Sequence, residues 1–255
     1  MENNVVLTMR GITMTFPGVK ALDHVDFTLR KGEIHALMGE NGAGKSTLIK
    51  CLTGVNDFEA GEIRVEGIEG PVRNHSTLEA QKRGISTVYQ EVNLCPNLSV
   101  AENLFIGREP MTKMHTINRK AMISRARQLM EQLNLPVDVT RDLEEYSLAM
   151  QQMIAIARAV DMDCKVLILD DSTSAVDTAT DAKIRAAFRE SIPGTTKIII
   201  AQRISSVQDA DRILVLDDGK IDAFDSHENL LKSNAIYQEI YESQIKGGGD
   251  FDQPN

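Results

Sequence analysis

The N-terminal third of the chain alternates between apolar and polar positions, which is the pattern of half-buried β-strands. Residues 5–9 (VVLTM) and 25–29 (VDFTL) both place apolar side chains at every second position, and a turn is predicted at Lys31-Gly32. Residues 61–67 (GEIRVEG) predict a further strand framed by glycines. A short predicted strand at 33–38 leads into a glycine-rich stretch and then into a predicted helix at 46–52.

The middle and C-terminal parts of the chain predict helices first and buried strands afterwards. Apolar residues recur at spacings of four, three and four, which places them on one helix face: Met122, Ala126, Leu129 and Leu133. Residues 153–160 predict a second apolar helix. The continuous apolar runs at 165–170 and 197–201 are typical of strands buried in a parallel sheet, and 213–216 predicts one more strand.

Composition narrows the classes of protein to which the chain can belong. It has 255 residues and a formal net charge of −9, and such an acidic chain argues against broad nucleic-acid binding. The scattered cysteines Cys51, Cys95 and Cys164 form neither a disulfide framework nor a zinc motif. The apolar runs are much shorter than the roughly 20 residues of a membrane-spanning helix. We therefore expect no nucleic-acid partner and no direct insertion into a membrane.

The glycine-rich stretch at 39–47 (GENGAGKST) matches the phosphate-loop pattern G-x-x-x-x-G-K-[ST] between a predicted strand and a predicted helix. Glycines let the backbone N–H groups face phosphate oxygens, and the start of the helix adds partial positive charge. Lys45 is then expected to reach the β- and γ-phosphates of a nucleotide, and the Ser46 hydroxyl to bind Mg²⁺. This context distinguishes the stretch from a chance glycine turn.

Two carboxylates, Asp170 and Asp171, follow the predicted strand VLILD at its end. Ligands of nucleotide-binding sheets lie at the carboxyl ends of the strands, where an aspartate can hold Mg²⁺. Asp170 fits that role, and Asp171 would then lie where an attacking water is polarised. The alternative interpretation is that both carboxylates only cap a strand. It is less favoured because the same sequence contains Lys45 and Ser46 in a phosphate-loop motif.

The order of these motifs resembles that of the ATP-binding-cassette (ABC) ATPase family: phosphate loop, Gln90, Ser147, Asp170 and Gln202. The resemblance implies a P-loop NTPase fold with a RecA-like α/β core and mainly parallel sheet, an antiparallel β-subdomain and an α-helical subdomain. It predicts a single ABC ATPase domain at 1–245, with the helical subdomain at about 95–160. The remainder, 246–255, has no core-forming pattern and is expected to be a loose tail.

The same resemblance implies a set of site residues for ATP and Mg²⁺. Phe16 corresponds to the aromatic residue that stacks on adenine, and 174–177 (SAVD) corresponds to the D-loop. The catalytic set is Lys45, Gln90, Asp171 and Gln202, and the metal-binding set is Ser46, Gln90 and Asp170. The nucleotide-binding set is Phe16, Gly39, Asn41, Gly42, Ala43, Gly44, Lys45, Ser46, Thr47 and Ser147.

The resemblance also implies partners. Two ATPase domains, identical or different, would face head to tail, so that Ser147 of each completes the phosphate loop of the other. A transmembrane permease subunit, contacted through Gln90, would supply the spanning part, which implies a cytoplasmic protein peripheral to the inner face of the cell membrane. The implied function is transport driven by binding and hydrolysis of Mg-ATP.

The two parts of the chain resemble different branches of the family. Up to about residue 165 the chain is similar to ATPase subunits of monosaccharide importers, as in 91–109 (EVNLCPNLSVAENLFIGRE). From about residue 166 it resembles ATPase domains of multidrug exporters, as in 170–180 (DDSTSAVDTAT). This division suggests a recombined or engineered chimera, and the alternative is one divergent natural lineage.

Three departures from the family pattern suggest slow hydrolysis. The signature segment is 146–150 (YSLAM), in which Leu148 replaces a small residue and Met150 a glutamine. Asp171 stands where glutamate is usual, which shortens its reach by about 1.5 Å. Gln202 stands where histidine is usual and cannot become cationic. We expect near-normal ATP binding with slow turnover; the alternative is a nucleotide-dependent clamp with little hydrolysis.

Overall fold

The computed structural model describes residues 4–88, 94–162, 164–170 and 195–247, and within them the strands form two sheets. The strands in chain order are β1 Val5–Phe16, β2 Val19–Arg30, β3 Ile34–Met38, β4 Ala60–Val65, β5 Ile85–Val88, β6 Val166–Asp170, β7 Thr196–Ile200, β8 Arg212–Asp217 and β9 Lys220–Asp225. The helices are α1 Lys45–Thr53, α2 Thr77–Lys82, α3 Val100–Phe105, α4 Arg119–Gln132, α5 Leu148–Asp161, α6 His227–Ser233 and α7 Ala235–Gly247. Short 3₁₀ turns lie at Leu143–Glu145 and Ile204–Ser206.

The larger sheet has six strands in the order β5-β6-β7-β3-β8-β9. The first five run parallel, and β9 joins β8 as an antiparallel edge. Asp170 at the end of β6 lies opposite Ile200 of β7, and Ile200 lies opposite Leu37 of β3. The carboxyl ends of these neighbouring strands therefore meet at one edge of the sheet.

The smaller sheet is antiparallel, with three strands in the order β2-β1-β4. The alternation at 5–9 and 25–29 buries Leu7, Met9, Val25 and Phe27 in a core shared with α1. The antiparallel sheet and the mainly parallel sheet confirm the predicted fold class.

A separate apolar core joins α3, α4 and α5. It contains the predicted helix face of Met122, Ala126 and Leu129, together with Leu133, which lies just beyond the end of α4. Helix α7 continues to Gly247, two residues into the predicted tail, and 248–255 lie outside the described residues. Among the described helices, none combines the length and the apolar composition needed to cross a membrane.

Candidate nucleotide-binding site

Residues 39–44 form the connection from β3 to α1, and two of its glycines are required by close backbone contacts. Gly39 has φ +142°, and a Cβ added there would lie 2.2 Å from the carbonyl oxygen of Leu216. Gly44 has φ +105°, and a Cβ there would lie 2.5 Å from the carbonyl oxygen of Ala21. The loop can follow this path only because neither position carries a side chain.

Lys45 is the first residue of α1, and its side chain turns back beneath the loop. It is 7% exposed, and its ammonium group donates hydrogen bonds to the carbonyl oxygens of Gly39 at 2.7 Å and Glu40 at 2.9 Å. The first turn of α1 contains no acidic residue. The ammonium and the partial positive charge of the helix therefore act together at this end of α1, an arrangement that favours an anion.

A cavity of about 150 Å³ opens beside the loop, at the carboxyl edge of the parallel strands. Most of its lining residues are ones that the sequence indicated, and Ile200 is an addition: Asn41, Gly42, Gly44, Lys45, Ser46, Thr47, Asp170, Ile200 and Gln202. Gly39 and Ala43 shape the loop without lining the cavity, and Ala43 is buried at 4% exposure. The residues predicted to bind phosphate and the carboxylate of Asp170 therefore line the same cavity.

Gln202 lies just beyond the end of β7 and faces the phosphate loop. Its side-chain Nε2 lies 3.4 Å from Oδ1 of Asn41. Its main-chain carbonyl accepts a hydrogen bond of 2.7 Å from Nε2 of Gln244, which is on α7. Gln244 also accepts, through Oε1, a bond of 2.9 Å from the backbone N–H of Ile204. Gln244 could not be identified from the sequence, because its separation of 42 residues from Gln202 leaves no local signal.

Two predicted nucleotide-binding residues lie outside the cavity lining. Phe16 ends β1, is 39% exposed and lies opposite Val19 across the hairpin. Ser147 caps the N-terminus of α5, where its hydroxyl accepts a hydrogen bond of 3.3 Å from the N–H of Met150. The adenine and opposite-subunit roles of these residues stay predictions.

Several predicted functional residues lie outside the described residues. These are Gln90, Asp171 and the predicted D-loop at 174–177. Their predicted roles rest on the resemblance and on their positions beside described elements: Gln90 follows β5, and Asp171 follows Asp170 directly.

The donors in the cavity suit magnesium. Ser46 supplies a hydroxyl and Asp170 a carboxylate, which are the hard oxygen ligands that Mg²⁺ prefers. Within the described residues, no group of three or more His, Cys, Asp and Glu could hold a metal ion by itself. A magnesium ion here would therefore need further oxygens from the phosphates or water, as is usual for this ion.

The fold and the site define a phosphate-loop NTPase, and comparison with known proteins gives the family. The family model for ABC transporters matches residues 22–174. The galactofuranose transporter ATP-binding protein YtfR of Escherichia coli K12 is 49% identical over 220 residues, which are 86% of this chain and 43% of YtfR. The xylose import ATP-binding protein XylG of Geobacillus kaustophilus is 41% identical over 237 residues, which are 91% of this chain and 46% of XylG.

Solved structures agree with these matches. An ATP-binding cassette of an ABC transporter in its ADP conformation aligns with a TM-score of 0.80 at 26% identity, over 93% of this chain and 98% of that one. A bacterial Atm1-family ABC exporter with ATP bound aligns with a TM-score of 0.75 at 25% identity, over 96% of this chain and 43% of that one. The chain belongs to the ABC transporter family, and its fold is that of the family's ATPase domain.

The same comparisons show how much of each relative the chain covers and whether one relative aligns with both parts of the chain. The chain spans less than half the length of YtfR and XylG. An aligned stretch of 237 residues in a chain of 255 must extend to both sides of residue 165. The comparisons therefore lend no support to the chimera interpretation.

Proposed function

We propose that this chain binds Mg-ATP at the phosphate loop and hydrolyses it slowly, as the ATP-binding part of a sugar importer. One observation carries the proposal: Lys45, Ser46, Asp170 and Gln202 surround a single cavity at the start of α1. The names of YtfR and XylG point to monosaccharides as the transported class.

The residues of the cavity suggest a division of roles. The backbone N–H groups of the loop and the Lys45 ammonium would hold the phosphates and stabilise the charge that develops on them. Ser46 and Asp170 would hold magnesium, which neutralises phosphate charge when bound. Asp171 would orient the attacking water and accept its proton. Gln202 would donate a hydrogen bond to the γ-phosphate, but it cannot deliver a proton as histidine can.

Slow hydrolysis follows from the length of one side chain. Asp171 is one methylene shorter than glutamate, so its carboxylate would lie about 1.5 Å further from the water it polarises. A misplacement of about 1 Å can lower a rate by roughly 100-fold. A nucleotide-dependent clamp that barely hydrolyses ATP is the second candidate, favoured by the presence of Gln202 in the cavity.

The position of Ser147 supports a dimer of ATPase domains, identical or different. Its hydroxyl is exposed at the start of α5, and it is absent from the cavity of its own chain. A second domain facing head to tail would bring its own Ser147 to this cavity. We therefore expect turnover per subunit to rise with protein concentration or on adding a partner.

A second cleft supports docking to a permease at the cytoplasmic face of the membrane. It has a volume of about 210 Å³ and lies between β5 and α5, with Val88, Leu94 and Arg158 among its lining residues. Val88 and Leu94 are the described residues on either side of the segment that contains Gln90. The half-buried Arg158 guanidinium, whose pKa is lowered by burial, suits an acidic group on the partner.

The test is nucleotide binding and phosphate release by the purified protein, its Lys45→Ala variant and its Lys50→Ala variant. Lys50 is exposed on the same helix, so its removal is a matched loss of charge away from the cavity. We expect Lys45→Ala to lower turnover by about 100-fold or more, while Lys50→Ala keeps it. Absence of nucleotide binding by the unaltered protein, or equal turnover in the two variants, would contradict the proposal. Tight binding without turnover would select the clamp.

A further inference from the structure

One side chain on the last described helix, that of Gln244, makes hydrogen bonds to two backbone groups of the segment that carries Gln202. The amide of Gln244 donates to the carbonyl of Gln202 at 2.7 Å and accepts from the N–H of Ile204 at 2.9 Å. A carbonyl needs a donor and an N–H needs an acceptor, and the Gln244 amide in this orientation supplies both. Glutamate at 244 would offer acceptors alone and would face the Gln202 carbonyl with negative charge.

The segment that carries Gln202 lies between a strand of the larger sheet and a short 3₁₀ turn. It leaves β7 at Ile200 and enters the 3₁₀ turn Ile204–Ser206, whose N-terminus has no side-chain cap. Gln202 is exposed, whereas Ile204 is buried at 3% exposure in the core beneath α7. The burial of Ile204 and the hydrogen bonds of the Gln244 amide both fix the backbone at 202–204.

Helix α7 is anchored firmly enough to act as a support. The ring of Tyr237 is fully buried, and its hydroxyl lies 2.7 Å from Nδ1 of His227 on α6. Asn234 accepts a hydrogen bond of 2.7 Å from the N–H of Tyr237 at the start of α7. Ile240 and Tyr241 pack against the same apolar core as Ile204. A group on α7 therefore has a fixed position relative to β7.

We propose that Gln244 is a positioning residue for Gln202, so that recognition of the γ-phosphate depends on the seating of α7. The proposal deepens the proposed function and rests on it, because it assumes that Gln202 meets the γ-phosphate of bound ATP. Gln202 lines the phosphate cavity, and Gln244 acts on it only through its backbone. Loss of Gln244 should therefore affect ATP, which has a γ-phosphate, and spare ADP, which lacks one.

The test compares Gln244→Met with Gln238→Met. Gln238 is on the same helix, and its amide donates a 2.7 Å hydrogen bond to the carbonyl of Leu231, which belongs to α6. Both variants lose an exposed or half-buried amide that bonds the backbone, but only Gln244 touches the Gln202 segment. The two readouts are the ratio of ATP to ADP affinity and the hydrogen exchange of the Ile204 amide without nucleotide.

We expect Gln244→Met to weaken ATP binding by about three- to tenfold, with ADP binding unchanged. The effect is modest because the net contribution of each lost hydrogen bond is small. The Ile204 amide should exchange roughly tenfold faster. Gln238→Met should match the unaltered protein in both measurements. Gln244→Glu keeps an acceptor for Ile204 and loses the donor to Gln202, so it should retain protection of the Ile204 amide and still lose ATP preference.

An ATP-to-ADP ratio in Gln244→Met equal to that of Gln238→Met, with Ile204 equally protected, would overturn the positioning role. Equal losses of ATP and ADP affinity would overturn it too, because they indicate a general structural effect. Failure of the unaltered protein to bind ATP would instead contradict the proposed function. In that case, unchanged exchange of the Ile204 amide in Gln244→Met would still refute the claim that the hydrogen bonds of Gln244 fix this segment.

Discussion

Gln202 faces Asn41 across the mouth of the phosphate loop, with 3.4 Å between Nε2 of the first and Oδ1 of the second. The long contact joins the end of β7 to the loop that follows β3, so a phosphate bound in the cavity would lie within reach of both segments. Under the proposed function, a side chain at 202 would contact the terminal phosphate, and its chemistry would set what it can do there.

The first prediction concerns a double variant that carries the residues usual in the family at positions 171 and 202. The double variant Asp171→Glu, Gln202→His should raise phosphate release by about tenfold or more, because the carboxylate gains reach and position 202 gains a group that can carry a proton. Phosphate release at saturating Mg-ATP measures the effect. Adding Lys45→Ala to the double variant is the control and should abolish the gain. An unchanged rate in the double variant would count against the account of slow hydrolysis.

The second prediction separates a close contact from backbone strain in the phosphate loop. In Gly39→Ala the new Cβ would meet the Leu216 carbonyl at 2.2 Å, whereas Gly42 has nothing within 4 Å of that position. Both residues have positive φ, so both changes should cost about 1–3 kcal/mol of strain. Gly39→Ala should cost a further ~1–3 kcal/mol, because the contacting atom is backbone. Urea unfolding of the two variants checks this, and equal losses of stability would refute the distinction.

The third prediction separates the two roles of Ser147. Ser147→Ala removes the cap of α5 and should lower the free energy of unfolding by about 1 kcal/mol, while Ser147→Asn keeps a good cap. If the hydroxyl serves the opposite subunit, both variants lose turnover although only one loses stability.

Ser226→Ala is the matched control for Ser147. Ser226 caps α6, accepting a hydrogen bond of 3.4 Å from the N–H of Asn229, and it does not line the phosphate cavity. Its loss should lower stability and leave turnover unchanged. Full turnover in Ser147→Asn, measured by phosphate release, would show that the serine acts only as a cap.

The parts of the fold with strong local patterns could be predicted from the sequence. The buried runs at 165–170 and 197–201 became β6 and β7, and the glycine-rich stretch became the loop before α1. Parallel pairing then brings Asp170 beside Ile200, which is why residues distant in sequence share one cavity.

Elements without such patterns were missed. Strand β9 has no fully buried residue, and Phe224 stands among its exposed positions, which obscures the apolar alternation that predicts a strand. Helix α3 has only six residues, yet its signal was available: Ser99 and Glu102 form a capping box. The contact between Gln244 and Gln202 spans 42 residues and depends on how α7 packs, which no local pattern encodes.

A buried histidine gives the protein a dependence of stability on pH that is separate from the site. His35 on β3 is fully buried between the rings of Phe27 and Phe224, whose centroids lie 5.5 Å and 5.3 Å away. Burial lowers the pKa of His35, although a hydrogen bond of 2.9 Å to Glu33 opposes the shift. Asp211 also opposes the lowering, and Arg212 adds to it. The net direction is downward because desolvation is the largest cause.

The last prediction follows from that direction. As the pH falls below about 6.5, the unfolded chain takes up a proton at His35 before the folded chain does, so stability falls by up to ~1.4 kcal/mol per pH unit. His35→Gln keeps a donor for Glu33 and removes the titration, so its stability should fall less between about pH 7.5 and about pH 5.5. Urea unfolding at both pH values measures this, with His75→Gln, a change at an exposed histidine, as the control. The control should keep the steep fall, and an equally steep fall in His35→Gln would mean that other groups cause it.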